Sequence, residues 1–387
     1  MIETWRWFGP EDPIPLNHIR QAGVAVIVTA LHQHAPGTAW PLADIQVRKD
    51  MIENSGLVWS VCESIPVPDA IKLKGANARK EIAAWKDTLA RLGQAGVKTV
   101  CYNFMPVVDW TRTDLMFELP DGGYALRYDH TDFAAYDIGI LNRPGAADEY
   151  PDEIVASARS RLDRMSAEDQ IRLERNIIAG LPGGAEAQSR QTIAKAIEMF
   201  DGHTEDGIRA NLAGFLKEVV PVAQEYGVNL AIHPDDPPFA LFGLPRVVST
   251  QTDARDILSA YDAPENGLTF CTGSYGARKD NNLADMARDF ADRINFAHFR
   301  MVRLEGGQCF HEAEHLYRLD ELLEVLRHIR KAGAVTGKSI PFRPDHGHLI
   351  ATDIDRSANP GYSYIGRLKG LAELRGVIAA MNQDRAA

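Results

Sequence analysis

The 387-residue sequence predicts an α/β fold: a (β/α)8 TIM barrel with a helical insertion after its fourth strand. Three observations predict it. Short runs rich in Val, Ile and aromatic residues recur eight times along the chain. Stretches of helical period separate them. Several of those stretches end in Gly just before the next run, the usual helix stop. Strands alternating with helices argue for a parallel sheet, and eight strands close this barrel. An open doubly wound sheet is the alternative.

The elements follow in order. Strand runs are read at 4–8, TWRWF, and at 24–30, VAVIVTA. A helix over 42–56 leads into LVWSVCES at 57–64, and a second over 78–96 leads into KTVCYNF at 98–104. A third helix, 207–227, ends in Gly227 and precedes VNLAIH at 228–233. LTFCTG at 268–273 and INFAHF at 294–299 come next. A helix over 319–333 then leads into SIPF at 339–342.

The connection between the fourth and fifth strands breaks this rhythm. EYPDEIVASARSRLDRMSAEDQIRLERNIIAGLPGG and TIAKAIEMF within it read as helices. The expectation is one barrel domain over 1–387, with a helical insertion at about 143–207 inside it. A βα connection emerges at the C-terminal mouth. The insertion should therefore lie over that mouth, as a lid, an oligomer contact or a passive decoration.

Composition excludes several classes. Lys plus Arg number 42 against 53 Asp plus Glu, a formal charge of -11, with no basic block. No nucleic-acid partner is expected, because phosphate binding needs a cationic face. The most apolar run, GVAVIVTAL, is too short to cross a bilayer, so no membrane association is expected either. The opening MIETWRWFGPEDP lacks the basic and apolar regions of a signal peptide. Cys62, Cys101, Cys271 and Cys309 are scattered without a C-x-x-C pair. Reduced thiols and a cytoplasmic location are expected. A homo-oligomer is the expected assembly. There is no phosphate-cradling glycine loop.

In a barrel enzyme the chemistry gathers at the C-terminal strand ends. The fifth strand ends in His233, the sixth carries Cys271, the seventh His298, and the eighth leads into Asp345 and His346. Any one of these has an ordinary alternative as a hydrogen-bonded core residue or loop acid. Neighbouring strands lie about 4.7–4.9 Å apart, so four successive strand ends can converge on one ion. Two imidazoles, a thiolate and a carboxylate suit Fe2+, Mn2+, Co2+ or Zn2+, and argue against Mg2+ and Ca2+. HEAEH, 311–315, matches the zinc-peptidase pattern H-E-x-x-H. That motif needs a helix and a third ligand, and no continuation supplies one.

Six stretches are familiar together: ESIPV at 63–67, CYNFMPVVDWTRTDL at 101–115, AIHPDDPP at 231–238, FGLPR at 242–246, FRPDHG at 342–347 and NPGY at 359–362. The chain resembles the mannonate dehydratase family, the hexuronate- and glucuronate-degrading enzymes related to xylose-isomerase-like barrels. The resemblance runs from WRWFGPEDP to RLKGLAEL and is poorest around 143–207. It implies iron(II) or manganese(II) held by His233, Cys271, His298 and Asp345, and catalytic groups at His346 and Tyr362. It implies a hydro-lyase that converts D-mannonate to 2-keto-3-deoxy-D-gluconate and water.

That reaction removes a weakly acidic C2 proton and a poor leaving group at C3. The metal would act as a Lewis acid on the substrate's carboxylate end. His346 and Tyr362 would move the two protons, with base and acid left open between them. Arg343 and Arg300 are candidates for the substrate's oxyanions, because a guanidinium binds them bidentately. Asn103 and Trp110 follow the fourth strand and are candidates for the sugar pocket. His348 has no role in this scheme. The rival readings are a metal-dependent sugar isomerase or epimerase on the same barrel, and a non-catalytic metal- or carbohydrate-binding module.

Overall fold

The structure is a computed structural model, and it describes residues 1–180 and 189–383. The barrel strands are β1 (Ile2–Arg6), β2 (Val26–Thr29), β3 (Val58–Glu63) and β4 (Thr99–Tyr102). Two further strands, β5 (Asp114–Glu118) and β6 (Tyr124–Tyr128), stand outside the barrel. The barrel resumes with β7 (Asn229–Ile232), β8 (Asn266–Cys271) and β9 (Ile294–Phe299). After β10 (Met301–Gly306) and β11 (Cys309–Ala313), β12 (Pro341–Pro344) completes it. The closed order is β1-β12-β9-β8-β7-β4-β3-β2, and every pairing in it is parallel.

All eight expected strands form, with ends shifted by a few residues. β8 starts earlier than the apolar run and stops at Cys271, where a short helix, Thr272–Gly276, begins. β12 runs to Pro344, which puts Asp345 directly past the strand end.

Packing follows the alternation of strand side chains. Val28, Val61, Cys101, Ala231 and Phe296, one from each of five strands, form a small apolar cluster of their own. The opposite strand faces pack on the outer helices in a much larger cluster. Trp85 on the helix Ala78–Gln94 meets Tyr102 of β4 and Phe215 of the helix Glu205–Tyr226, with ring centroids 5.9 and 5.1 Å away. Removing a ring of that size from a packed core costs about 3–5 kcal/mol. The helix Glu205–Tyr226 ends at Gly227, whose φ of 61° is open to glycine at little cost.

A second sheet was not expected. β10-β11-β6-β5 form an antiparallel sheet built from two different barrel connections. The connection after β4 therefore contains a hairpin as well as helices. Between 143 and 207 the described chain is helical: Ala146–Glu149, Asp152–Leu162, Ala167–Ile178 and Arg190–Met199. Residues 181–184 of the expected helical stretch lie outside the described residues. These helices dock on the second sheet and its flanks. Asn176 Nδ2 donates to the Thr113 carbonyl at 3.0 Å, and Arg161 pairs with Asp129 and Asp132. Among the described residues, no helix is long and apolar enough to cross a membrane.

Candidate metal centre and catalytic cleft

The strand ends β7, β8 and β9 deliver His233, Cys271 and His298 to one point. Their ligand atoms all lie within 4.8 Å of one another. His233 Nδ1 donates to the Pro234 carbonyl at 2.7 Å. A metal-binding imidazole commonly makes this tie on its far nitrogen. It leaves Nε2 facing His298 Nδ1 at 3.2 Å. Cys271 caps the short helix after β8, and its sulfur accepts from Ser274 N at 3.4 Å and Ser274 Oγ at 3.2 Å. Asp345 borders the group, with Oδ2 3.8 Å from Cys271 Sγ and 3.7 Å from His298 Nδ1.

The electrostatics suit a cation. Burial alone would lower the pKa of His233. The hydrogen bond and charge of Cys271, with Asp345 and Glu63, outweigh it and raise the value to about 9. His298 goes the other way, held well below its usual value by burial and by Arg343. Two imidazoles, a thiol and a neighbouring carboxylate meet at this point. The donor set therefore fits a first-row divalent metal.

Around this point runs a buried ionic network. Arg112 pairs with Asp236 at 2.7 Å and Glu312 at 2.9 Å. Arg300 pairs with Asp345 and Glu312, both at 2.7 Å, and with Asp236. Arg343 pairs with Glu63 at 2.8 Å and with Asp345, and donates from Nε to His298 Nε2 at 3.2 Å. Three guanidiniums thus face four carboxylates. Burial would push the Asp345 pKa up, but Arg343, His346, His298 and Arg300 hold it well below the usual carboxylate range. Gly273 is required beside this network, because a Cβ there would lie 2.6 Å from the Arg300 side chain.

Arg343 and Arg300 do reach the mouth, but both are engaged by protein carboxylates. Three acids of the network were not singled out in the sequence: Asp236, Glu63 and Glu312. Asp236 lies in PDDPP and Glu63 ends a barrel strand, so position alone pointed to both. Glu312 is the glutamate of HEAEH, which forms no helix. Cys309–Ala313 is strand β11, so alternation sends Glu312 inward and His311 to the other face, where Nδ1 meets Glu305 at 2.6 Å. His315 is buried separately, against Gly370. This geometry rules out the zinc-peptidase arrangement.

The cleft above holds about 490 Å3 of empty space, part of it open to solvent. Its lining includes Asn103, Trp110, His233, Asp345, His346 and Tyr362. The loop of NPGY lies beside that of PDHG: Gly347 N donates to the Gly361 carbonyl at 2.9 Å, and Gly347 bridges Tyr362. Tyr362 consequently stands edge-on to His346, centroids 5.1 Å apart. Trp110 meets the His346 ring at 6.0 Å, also edge-on. His346 Nδ1 lies 3.0 Å from Glu312 Oε1. Burial raises the Tyr362 phenol pKa, more than Arg343 lowers it. Asn103 Nδ2 donates to Asp109 across a long 3.5 Å. His348, unassigned from sequence, donates from Nε2 to the Glu312 carbonyl at 3.0 Å and so braces β11.

Fold and donor set together define a (β/α)8 barrel with a candidate metal-binding group at the strand ends that form its mouth. The chain belongs to the D-mannonate dehydratase (UxuA) family, whose profile matches residues 1–387. Mannonate dehydratase 2 of Agrobacterium fabrum is 58% identical, over 99% of this chain and 98% of the relative. The mannonate dehydratase of Saccharophagus degradans is 50% identical, over 98% of both. The crystal structure of mannonate dehydratase from Streptococcus suis serotype 2 superposes with a TM-score of 0.78 at 32% identity, covering 100% of this chain and 95% of that one. A D-psicose 3-epimerase, at a TM-score of 0.52 and 12% identity over 97% of this chain and 99% of its own, shares the fold alone.

Proposed function

We propose that this protein dehydrates D-mannonate to 2-keto-3-deoxy-D-gluconate, using a divalent iron or manganese ion held by His233, Cys271, His298 and Asp345. The full-length family match carries the reading. The cleft supports it: His233 of the His233–Cys271–His298 group lines it together with His346 and Tyr362. When bound, the ion supplies Lewis acidity toward the substrate's carboxylate end.

The chain's own groups move the protons. The Glu312 carboxylate only accepts hydrogen bonds, so His346 Nδ1 carries hydrogen and Nε2 is the ring nitrogen left to exchange a proton. His346 is thereby set to take the proton from C2. The Tyr362 phenol stays protonated because it is buried, so it is set to give its proton to the departing C3 hydroxyl. Arg343 and Arg367, 5.8 and 5.3 Å from the Tyr362 ring, steady the oxygen as it gains charge. The C3 hydroxyl leaves as water, a C2–C3 double bond forms, and the enol tautomerises to the ketone. Trp110 packs on His346 and closes one side against water. Asn103 remains a candidate contact to the sugar hydroxyls.

All four cysteines are free thiols, which suits a reducing cytoplasm. A homo-oligomer belongs to the same proposal, and sedimentation velocity tests it. The deciding experiment incubates metal-loaded protein with a panel of aldonates and assays 2-keto-3-deoxy acids. D-mannonate should be the preferred substrate. Isomerisation of aldoses without dehydration would replace this reading with the isomerase one.

A further inference from the structure

Arg6 ends β1 and lines the same cleft, yet it stands outside the ionic network. Arg112, Arg300 and Arg343 each hold at least two carboxylates. Among the described residues, none forms an ion pair with Arg6. The side chain is nonetheless buried, at 5% exposure. Its Nη2 lies 3.2 Å from His32 Nε2, and its guanidinium sits over the Phe8 ring at 4.7 Å. Its Nη1 is buried with no hydrogen-bond partner.

His32 does not neutralise that charge. A guanidinium only donates, so His32 Nε2 accepts and the ring is uncharged. Burial, then the charges of Arg6 and Arg48, keeps its pKa down at about 3. Glu63 feels the charge of Arg6 but gives Oε1 to Arg343, and its Oε2 is left unpaired. Among the described residues, the cleft therefore offers an unmatched cationic donor at Arg6 Nη1 and an unmatched acceptor at Glu63 Oε2. A buried guanidinium without a counter-charge is costly, and an arriving anion removes that cost.

We propose that Arg6 binds the carboxylate of the sugar-acid substrate, with His32 as the neutral brace that aims its guanidinium. This rests on the sugar-acid reading above. It assigns to Arg6 the discrimination between an acid and the corresponding neutral polyol. The committed guanidiniums, Arg343 and Arg300, instead position protein carboxylates. Arg6 Nη1 would donate to a carboxylate oxygen, while Glu63 Oε2 accepts from a substrate hydroxyl.

The test measures binding of D-mannonate and of its C1 alcohol, D-mannitol, to the metal-loaded full chain by titration calorimetry, in a Tyr362→Phe background to slow turnover. Arg6→Gln should weaken D-mannonate binding by about 10–100-fold, the value of a charge-assisted contact, and leave D-mannitol within about two-fold. With Tyr362 intact and metal bound, KM for D-mannonate should rise more than kcat falls in Arg6→Gln. Arg6→Lys, which keeps the charge, should recover most of the preference for the acid. Equal weakening of acid and alcohol, or an unchanged KM, overturns the proposal. If Arg6→Gln does not fold, His32→Gln decides it: it should weaken only the acid, and equal loss for both ligands overturns the proposal. Failure of the wild type to dehydrate D-mannonate would sink the dehydratase reading alone, provided other sugar acids still lose affinity in Arg6→Gln.

Discussion

Glu312 and His346 meet at 3.0 Å, Oε1 to Nδ1, although one belongs to the accessory sheet and the other follows the last barrel strand. Burial alone would raise the pKa of Glu312. Arg300, His346 and Arg112 overcome this and hold it well below the usual carboxylate range. The pair sets the tautomer of His346 and ties the two sheets together.

Glu312→Gln keeps the shape and loses the charge. It leaves Arg112 and Arg300 short of one partner each, which should cost about 3–5 kcal/mol in chemical unfolding. It also frees the His346 ring, so kcat should fall by about 10²–10⁴ with metal content retained. Normal turnover in a fully metallated variant would reduce Glu312 to a structural role. His311→Ala, by contrast, should leave metal content and activity unchanged, because His311 lies on the far face of β11.

Chelation should abolish activity, and Fe2+ or Mn2+ should restore it better than Mg2+, because a thiolate and two imidazoles suit softer ions. Elemental analysis alongside the assay checks this. Full activity without a transition metal would remove the site as drawn.

Cys271→Ser should lose metal, since a hydroxyl stays protonated where a thiolate would bind. Cys62→Ser and Cys309→Ser should bind normally, as neither sulfur belongs to the His233–Cys271–His298 group. Unchanged metal content in Cys271→Ser would exclude it as a ligand.

Tyr362→Phe keeps the ring and removes the oxygen, so fold and metal should survive while kcat drops by about 10²–10⁴. His346→Asn should act likewise, with some metal loss because Asp345 is its neighbour. The double variant should be far less damaged than the product of the two losses, because both groups serve one elimination. Single-turnover rates with metal occupancy confirmed provide the check.

Acid should weaken the fold in two overlapping windows. Burial and neighbouring charge hold His32 at about 3 and His315 at about 4, against an ordinary 6.5. Between those values the unfolded chain binds protons that the folded chain refuses, so stability falls as pH drops from 6.5 toward 4. Burial would raise Glu63, but Arg343, His298 and Arg6 bring it to about 2 from 4.5, so its contribution is lost between 4.5 and 2. Each group adds a slope of at most about 1.4 kcal/mol per pH unit. His315→Gln should flatten the upper window in a Tm-against-pH series. An unaltered slope would mean that His315 titrates normally.

Much of the barrel was legible because its strands are buried on both faces and read as unbroken apolar runs. β5, DLMFE, is half-exposed, and both it and the more buried β6, YALRY, mix polar with apolar residues, so no such run marks them. The cue was the turn: PDGG between alternating stretches, and EGG between β10 and β11, are hairpin signals. Strand ends pointed to His233, Cys271 and His298, which the fold brings together, and to Asp345, which borders them. Glu312 escaped because a five-residue motif drew attention to helical spacing, and only the pleat shows which of its residues turns inward. Arg6 escaped because an arginine's worth depends on which acids have already claimed its neighbours.

The accessory sheet also bears on how such a barrel can be remodelled. Its inner pair joins β11, from the connection after β9, to β6, from the connection after β4. Either hairpin alone would expose a strand edge with unpaired amides, an invitation to pair with another chain. Each loop is therefore the other's cover. Trimming or transplanting one without the other would leave a sticky margin, so loop exchange between related barrels has to move the two hairpins together.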